Sequence, residues 1–144
     1  MRSSVSIIGL GFVGSSMFKS FNIKQSQGIN IQVTGYDKFK NGGIGTMKAC
    51  MQSEIAFLCL PTVFDSTKGE YDKSCIHDVC EQLKQHNYTG IVVIKSTVEP
   101  KTTNALSDMY PTLKFVHNPE FLTARTAFED FHNQTHIVLG RGGN

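Results

Sequence analysis

The chain has 144 residues, of which 40% are hydrophobic and 18% charged, and its formal net charge is +2. Such totals describe one ordinary soluble globular domain with room for a real core. Scattered lysines without a basic run speak against nucleic acid or an acidic membrane surface, and no apolar stretch nears spanning length, so the expectation is a cytoplasmic protein without signal or anchor.

In chain order, an apolar strand is expected over 4–10 and runs into Gly9-Leu10-Gly11-Phe12-Val13-Gly14. A helix over 13–21 and a polar loop, Asn22 to Asn30, lead to a second strand over 31–37 that closes on Asp37. A helix over 43–52 precedes a strand over 55–60, and Pro61 to Tyr71 form a long connection of the kind that lines a ligand crevice. Ile76, Val79, Cys80 and Leu83 repeat at helical spacing and give a helix over 73–86 a core-facing stripe. Strands over 90–96, 114–118 and 136–140 alternate with helices over 101–109 and 121–131. Runs such as Ile91-Val92-Val93-Ile94 are apolar on both faces, as a parallel sheet covered by helices requires. The fold class expected is α/β: a Rossmann-type, doubly wound parallel sheet of about six strands, helices on both faces, in strand order 3-2-1-4-5-6. One dinucleotide-binding domain covers 1–144.

The glycine spacing has a chemical reason. Gly9 permits a tight turn, Gly11 lets backbone approach a pyrophosphate, and Gly14 lets the next helix lie against the sheet with its first amides facing the phosphates. Asp37 accepts the two ribose hydroxyls and repels a 2′-phosphate, which favours NAD over NADP. The cysteines at 50, 59, 75 and 80 form no Cys-x-x-Cys and read as reduced structural thiols, so no metal is expected. His77, His86, His117, His132 and His136 read as surface or supporting residues.

Four segments taken together carry a family likeness: Gly9 to Gly14, Leu58-Cys59-Leu60-Pro61-Thr62, Lys95-Ser96-Thr97-Val98-Glu99-Pro100 and Asn118-Pro119-Glu120-Phe121-Leu122. In this order the chain resembles the N-terminal domain of the UDP-glucose/GDP-mannose dehydrogenase family, over about the first third of a complete enzyme. The resemblance implies two hydride transfers to NAD that convert a sugar C6 alcohol to a carboxylate. A cysteine thioester is hydrolysed at the end. It implies cofactor contacts from Gly9, Leu10, Gly11, Phe12, Val13, Gly14, Asp37, Lys38, Cys59, Leu60, Pro61, Thr62, Ser96 and Thr97. Glu120 would be the general base, with Thr97 helping to hold the attacking water, and Glu120, Phe121 and Leu122 would meet the sugar. The substrate implied is a nucleotide sugar, UDP-glucose foremost, on the way to polysaccharide precursors.

Bland readings stand beside each segment. Pro61-Thr62 can be a plain strand-ending turn, Ser96 and Thr97 can cap the helix after Pro100, and Glu120, with Pro119 fixing a helix entry, can simply favour a helix dipole. Ala124 and Arg125 stand where many members carry Glu-Gly, which puts one cofactor contact in doubt; Lys38 and Lys40 are available on the adenosine side without a secure spacing. The family's nucleophilic cysteine lies in a glycine-rich turn that this stretch lacks, so the expectation is an incomplete catalyst that needs a missing or separate C-terminal domain. A homo-oligomer stays open. The alternative from another class is a stand-alone NAD-binding module or regulatory partner. A hydroxyacid or 6-phosphogluconate type shares the first motif, but the Lys95 and Asn118 segments argue against it.

Overall fold

The structure is a computed structural model that describes residues 3–141. Its strands are β1 (Ser3–Ile8), β2 (Ile31–Tyr36), β3 (Ile55–Leu58), β4 (Phe64–Asp65), β5 (Glu70–Tyr71), β6 (Ile91–Ile94), β7 (Lys114–His117) and β8 (Gly140–Arg141). The helices are α1 (Phe12–Ser26), α2 (Met47–Cys50), α3 (Ser74–Gln85), α4 (Thr102–Met109) and α5 (Ala127–His132). A mostly parallel sheet runs β2-β1-β3-β6-β7-β8, and β4 pairs with β5 as a separate small hairpin.

Alternation along β1 divides the core. Ile8 faces a cluster with Leu58, Ile76, Leu83, Ile94 and Leu106, beneath α3 and α4. Ile7, its neighbour, faces Leu10, Met17 and Phe131, beneath α1 and α5. The α3 stripe is buried as its spacing required, with Ile76, Cys80 and Leu83 at 0% exposure.

The sheet order corrects the expected 3-2-1-4-5-6. Ile55–Leu58 pairs with Val5–Ile8 on one side and Ile91–Ile94 on the other, while β2 is an edge strand. The reason is polarity. β3 is apolar on both faces and belongs inside the sheet, whereas β2 carries Gln32 and Thr34 and buries no residue fully. The last strand is also a correction, because β8 is short and runs antiparallel to β7.

Three local expectations change as well. The polar stretch from Asn22 is not a loop: α1 continues through Ser26 and stops where Gly28 adopts φ +94°. There the Gly28 amide donates to Gln25 O and the Ile29 amide to Lys24 O, which closes the helix. The helix expected over 43–52 shrinks to α2, with Thr46 accepting from the Ala49 amide as its cap. The helix expected over 121–131 begins only with a 3-10 turn at Ala124–Thr126, followed by α5.

Candidate functional site

The carboxyl ends of β1, β3, β6 and β7 open onto one crevice of about 600 Å³. On its near side is the glycine turn. Gly9 sits at φ +94°, and a Cβ there would lie 2.3 Å from Cys59 O. A Cβ on Gly14 would lie 1.8 Å from Gly9 O, so α1 crosses the turn at the closest approach backbone allows. Its chain neighbours aside, no described residue comes within 4 Å of a Cβ placed on Gly11. Gly11 is also the N-cap of α1 and offers no side chain to its first amides. A phosphate would find those amides there.

Asp37 ties the end of β2 to this turn. Its Oδ2 accepts from the Leu10 amide at 2.8 Å, and Oδ1 accepts from the Phe39 and Lys40 amides at 2.9 and 2.8 Å. Burial opposes its charge, but these amides and the Lys40 cation outweigh burial and hold the carboxyl below its ordinary 3.8. Two amides on Oδ1 and one on Oδ2 leave Oδ2 a lone pair for a ligand. Lys40 Nζ donates to Leu10 O at 2.6 Å and to Ser15 Oγ at 2.8 Å, which makes it a brace for the turn. Ala124 and Arg125 stand beside Gly11, Phe12 and Lys40 around a neighbouring cleft of about 560 Å³. Lys38 borders a further cleft next to Asp37 and reaches over the Phe39 ring at 5.3 Å.

On the far side, Ser96 is buried, accepts from the Leu60 amide at 2.9 Å and donates to Leu60 O at 2.7 Å. Its hydroxyl thus joins the ends of β3 and β6 at the crevice wall and does not cap α4. Thr62 donates its hydroxyl to Thr97 O at 2.7 Å, joining the same two loops. Thr97 itself is exposed at the crevice. The Pro61–Tyr71 connection is the β4–β5 hairpin, latched by Glu99, which accepts from the Tyr71 amide and pairs with Lys73 at 3.0 Å. The Tyr71 amide, then the Lys73 cation, pull Glu99 down to about 2. Cys59 donates to Met17 Sδ at 3.7 Å, and burial pushes its thiol up to about 12 against the pull of Lys95.

Glu120 does not start a helix. It lies in the irregular segment after β7, because the Thr123 amide and the Thr126 hydroxyl bond Asp130 and set the helical turn further on. Its neighbour is Lys95, whose Nζ lies 2.9 Å from Glu120 Oε2, the side chains being 2% and 13% exposed. The same ammonium donates to Asn118 Oδ1 at 3.0 Å, and Asn118 in turn donates to Val138 O. Oε2 takes no hydrogen bond of its own, and Oε1 accepts from the Phe121 amide at 2.9 Å. Phe121 is exposed, whereas Leu122 packs toward the α1 and α5 side of the core. His117, on β7 beside Lys95, is held below its ordinary value first by burial and then by that cation. Lys95 is the site residue that motif reasoning passed over. Its signal was a lysine closing the apolar run Ile91 to Ile94.

The pair gives a stability test. Lys95→Met leaves the mostly buried Glu120 carboxylate without its cation and should cost about 3–5 kcal/mol in urea unfolding. Adding Glu120→Gln should recover most of that loss. Equal losses for the single and double variants would show that the two groups are not coupled.

Residues 38–143 match the family described as UDP-glucose/GDP-mannose dehydrogenase, NAD binding domain. The chain belongs to that family. As its NAD-binding domain, it is similar to the UDP-glucose 6-dehydrogenase of Streptococcus pneumoniae, at 29% identity over 60% of this chain and 22% of that one. It is 24% identical to the GDP-mannose 6-dehydrogenase of Pseudomonas aeruginosa over 94% of this chain and 40% of that one. The NAD-binding domain thus spans about a fifth to two fifths of the length of the curated relatives it matches. Among solved structures, an imine reductase of Streptomyces aurantiacus overlays with TM-score 0.64 at 16% identity, covering 85% of this chain and 43% of that one. An imine reductase variant from Myxococcus stipitatus, in complex with NAD+, overlays with TM-score 0.60 at 14% identity over 88% and 43%. At those identities the likeness is one of fold. Among the described residues no helix is long and apolar enough to cross a membrane, and no group of three or more His, Cys, Asp and Glu could hold a metal.

Proposed function

We propose that this domain supplies the NAD site and the hydrolytic base of a nucleotide-sugar 6-dehydrogenase. The substrate class is a nucleotide sugar, UDP-glucose foremost, and the cysteine that holds the acyl group comes from a C-terminal part. Asp37 would hold the adenosine ribose and the first amides of α1 the diphosphate. Held there, NAD would supply the hydride acceptor for the sugar carbon. The nicotinamide end would lie toward Ser96 and Thr97, with the backbone of Cys59 to Thr62 along the opposite wall. Glu120 would take the proton of the water that opens the thioester, and Lys95 would steady the carboxylate for that task.

The observation that carries this reading is the carboxylate–ammonium pair, 2.9 Å apart, in the same crevice as the glycine turn. A buried ion pair costs desolvation that apolar side chains would avoid, so its retention at a crevice supports a chemical role. Calorimetric titration of the chain with NAD tests the binding half: saturable one-to-one binding is expected, and no heat at millimolar NAD would sink it. For the base, Glu120→Gln in protein that includes the cysteine-bearing part should let a sugar–cysteine adduct accumulate, visible by mass spectrometry. Unchanged turnover by that variant would remove Glu120 from the chemistry.

A further inference from the structure

The segment Asn118-Pro119-Glu120-Phe121-Leu122 carries one polar side chain still without a task, Asn118. It stands half-buried directly after β7, between two partners of opposite character. On one side its Nδ2 donates to Val138 O at 2.8 Å, in the run 137–139 that leads into β8. On the other its Oδ1 accepts from Lys95 Nζ at 3.0 Å. A carbonyl oxygen only accepts and an ammonium only donates, so one orientation of the amide serves both. Reversed, it would set acceptor against acceptor and donor against donor. The Lys95 side chain, 2% exposed, thus has one N–H committed to a neutral acceptor of fixed direction.

The geometry at Glu120 gives that commitment a purpose. Lys95 Nζ lies 2.9 Å from Oε2, yet Oε2 accepts no hydrogen bond. The ammonium therefore stands beside that oxygen as a charge and not as a donor. A general base needs its anion stabilised and a lone pair open to the incoming proton. An N–H aimed at Oε2 would supply the first and take the second. We propose that Asn118 is a positioning residue for hydrolysis: it holds the Lys95 ammonium at the flank of Glu120 and draws its N–H away from Oε2. The assignment rests on the reading above that Glu120 is the hydrolytic base.

The test has two arms. The first needs only this chain, labelled with 13C and 15N. Asn118→Ala releases the N–H, and Oε2 at 2.9 Å is placed to take it, so the Glu120 Cδ and Lys95 Nζ resonances should both shift. The Glu120 signal is identified by its loss in Glu120→Gln. The second arm uses protein that includes the cysteine-bearing part. There Asn118→Ala should slow thioester hydrolysis about ten-fold and let the sugar–cysteine adduct accumulate, with KM for the nucleotide sugar and the affinity for NAD held. Asn118→Asp keeps an acceptor for Lys95 but has no donor for Val138 O, so it should hydrolyse faster than Asn118→Ala. Equal losses in these two variants would assign the effect to the Val138 link and overturn the proposal. Lowered melting of Asn118→Ala with unmoved resonances and parent turnover would overturn it too, leaving Glu120 as the base. Parent turnover by Glu120→Gln would overturn the base and this assignment together.

Discussion

Gly14→Ala should unfold the nucleotide-binding turn, lowering stability by at least about 3 kcal/mol and abolishing measurable NAD binding. The added Cβ would sit 1.8 Å from Gly9 O, 2.9 Å from Gly9 C and 3.3 Å from Cys59 Cβ. None of these neighbours is the free end of a flexible side chain. Gly9 cannot retreat, because its own Cβ direction already faces Cys59 O and its amide is bonded to Tyr36 O at 2.8 Å. Alanine gains about 1 kcal/mol of helix propensity over glycine, which is far smaller than the clash. Relief requires α1 to move away from β1, and Met17, 1% exposed in the cluster with Ile7 and Phe131, would lose its packing. Gly11→Ala is the control, since no described residue apart from its chain neighbours lies within 4 Å of that Cβ. It should keep the parent's urea midpoint while weakening NAD, because only the bound diphosphate would meet the methyl group. A Gly14→Ala protein with the parent's midpoint and affinity would contradict the packing of the turn.

These glycines were legible in the sequence because their constraint is local: a strand, a turn and a helix in immediate succession leave room only for hydrogen at fixed offsets. The α3 stripe was legible for a similar reason, its period being set within one element. Sheet order depended on a comparison between elements, the two-faced apolar character of β3 against Gln32 and Thr34 of β2, which the usual doubly wound order does not take into account. Lys95 and Glu120 are separated by 25 residues in sequence and meet because β6 and β7 pair with Ile94 opposite His117. No periodicity announces such a meeting. The irregular path of Asn118 to Thr123 is likewise set from outside, by Lys95 at one end and Asp130 at the other, so helix propensity misled there. Hydroxyls were the least legible groups. Ser96 was expected at the end of a strand and Thr62 in the connection that follows β3, yet each serves a neighbouring segment's backbone, a choice that only close approach decides.

Asp37→Ala should weaken NAD by roughly ten- to a hundred-fold and erase most of the preference against NADP. One ligand-facing lone pair on Oδ2 supports one charge-assisted bond to a ribose hydroxyl, and its loss sets the lower part of that range. The upper part comes from the turn itself. Removing the carboxylate leaves the amides of Leu10, Phe39 and Lys40 without their acceptor, and Lys40 loses the anion beside it while still bonded to Leu10 O. The glycine turn should then loosen just where the phosphates would rest. Asp37→Asn separates the contributions: its single amide oxygen can keep the Phe39 and Lys40 amides, while its NH2 would face the Leu10 amide and the ligand. Its affinity should therefore fall nearly as far as that of Asp37→Ala, but its melting temperature should fall less. Acid gives the same answer by another route. The folded carboxyl titrates below its ordinary 3.8, so its contribution to stability is complete above that value and is lost as the pH falls through the lower folded value. The parent's melting temperature should therefore drop more steeply below pH 4 than that of Asp37→Ala. Parallel acid profiles, together with unchanged NAD affinity in the alanine variant, would show that Asp37 neither braces the turn nor meets the ribose.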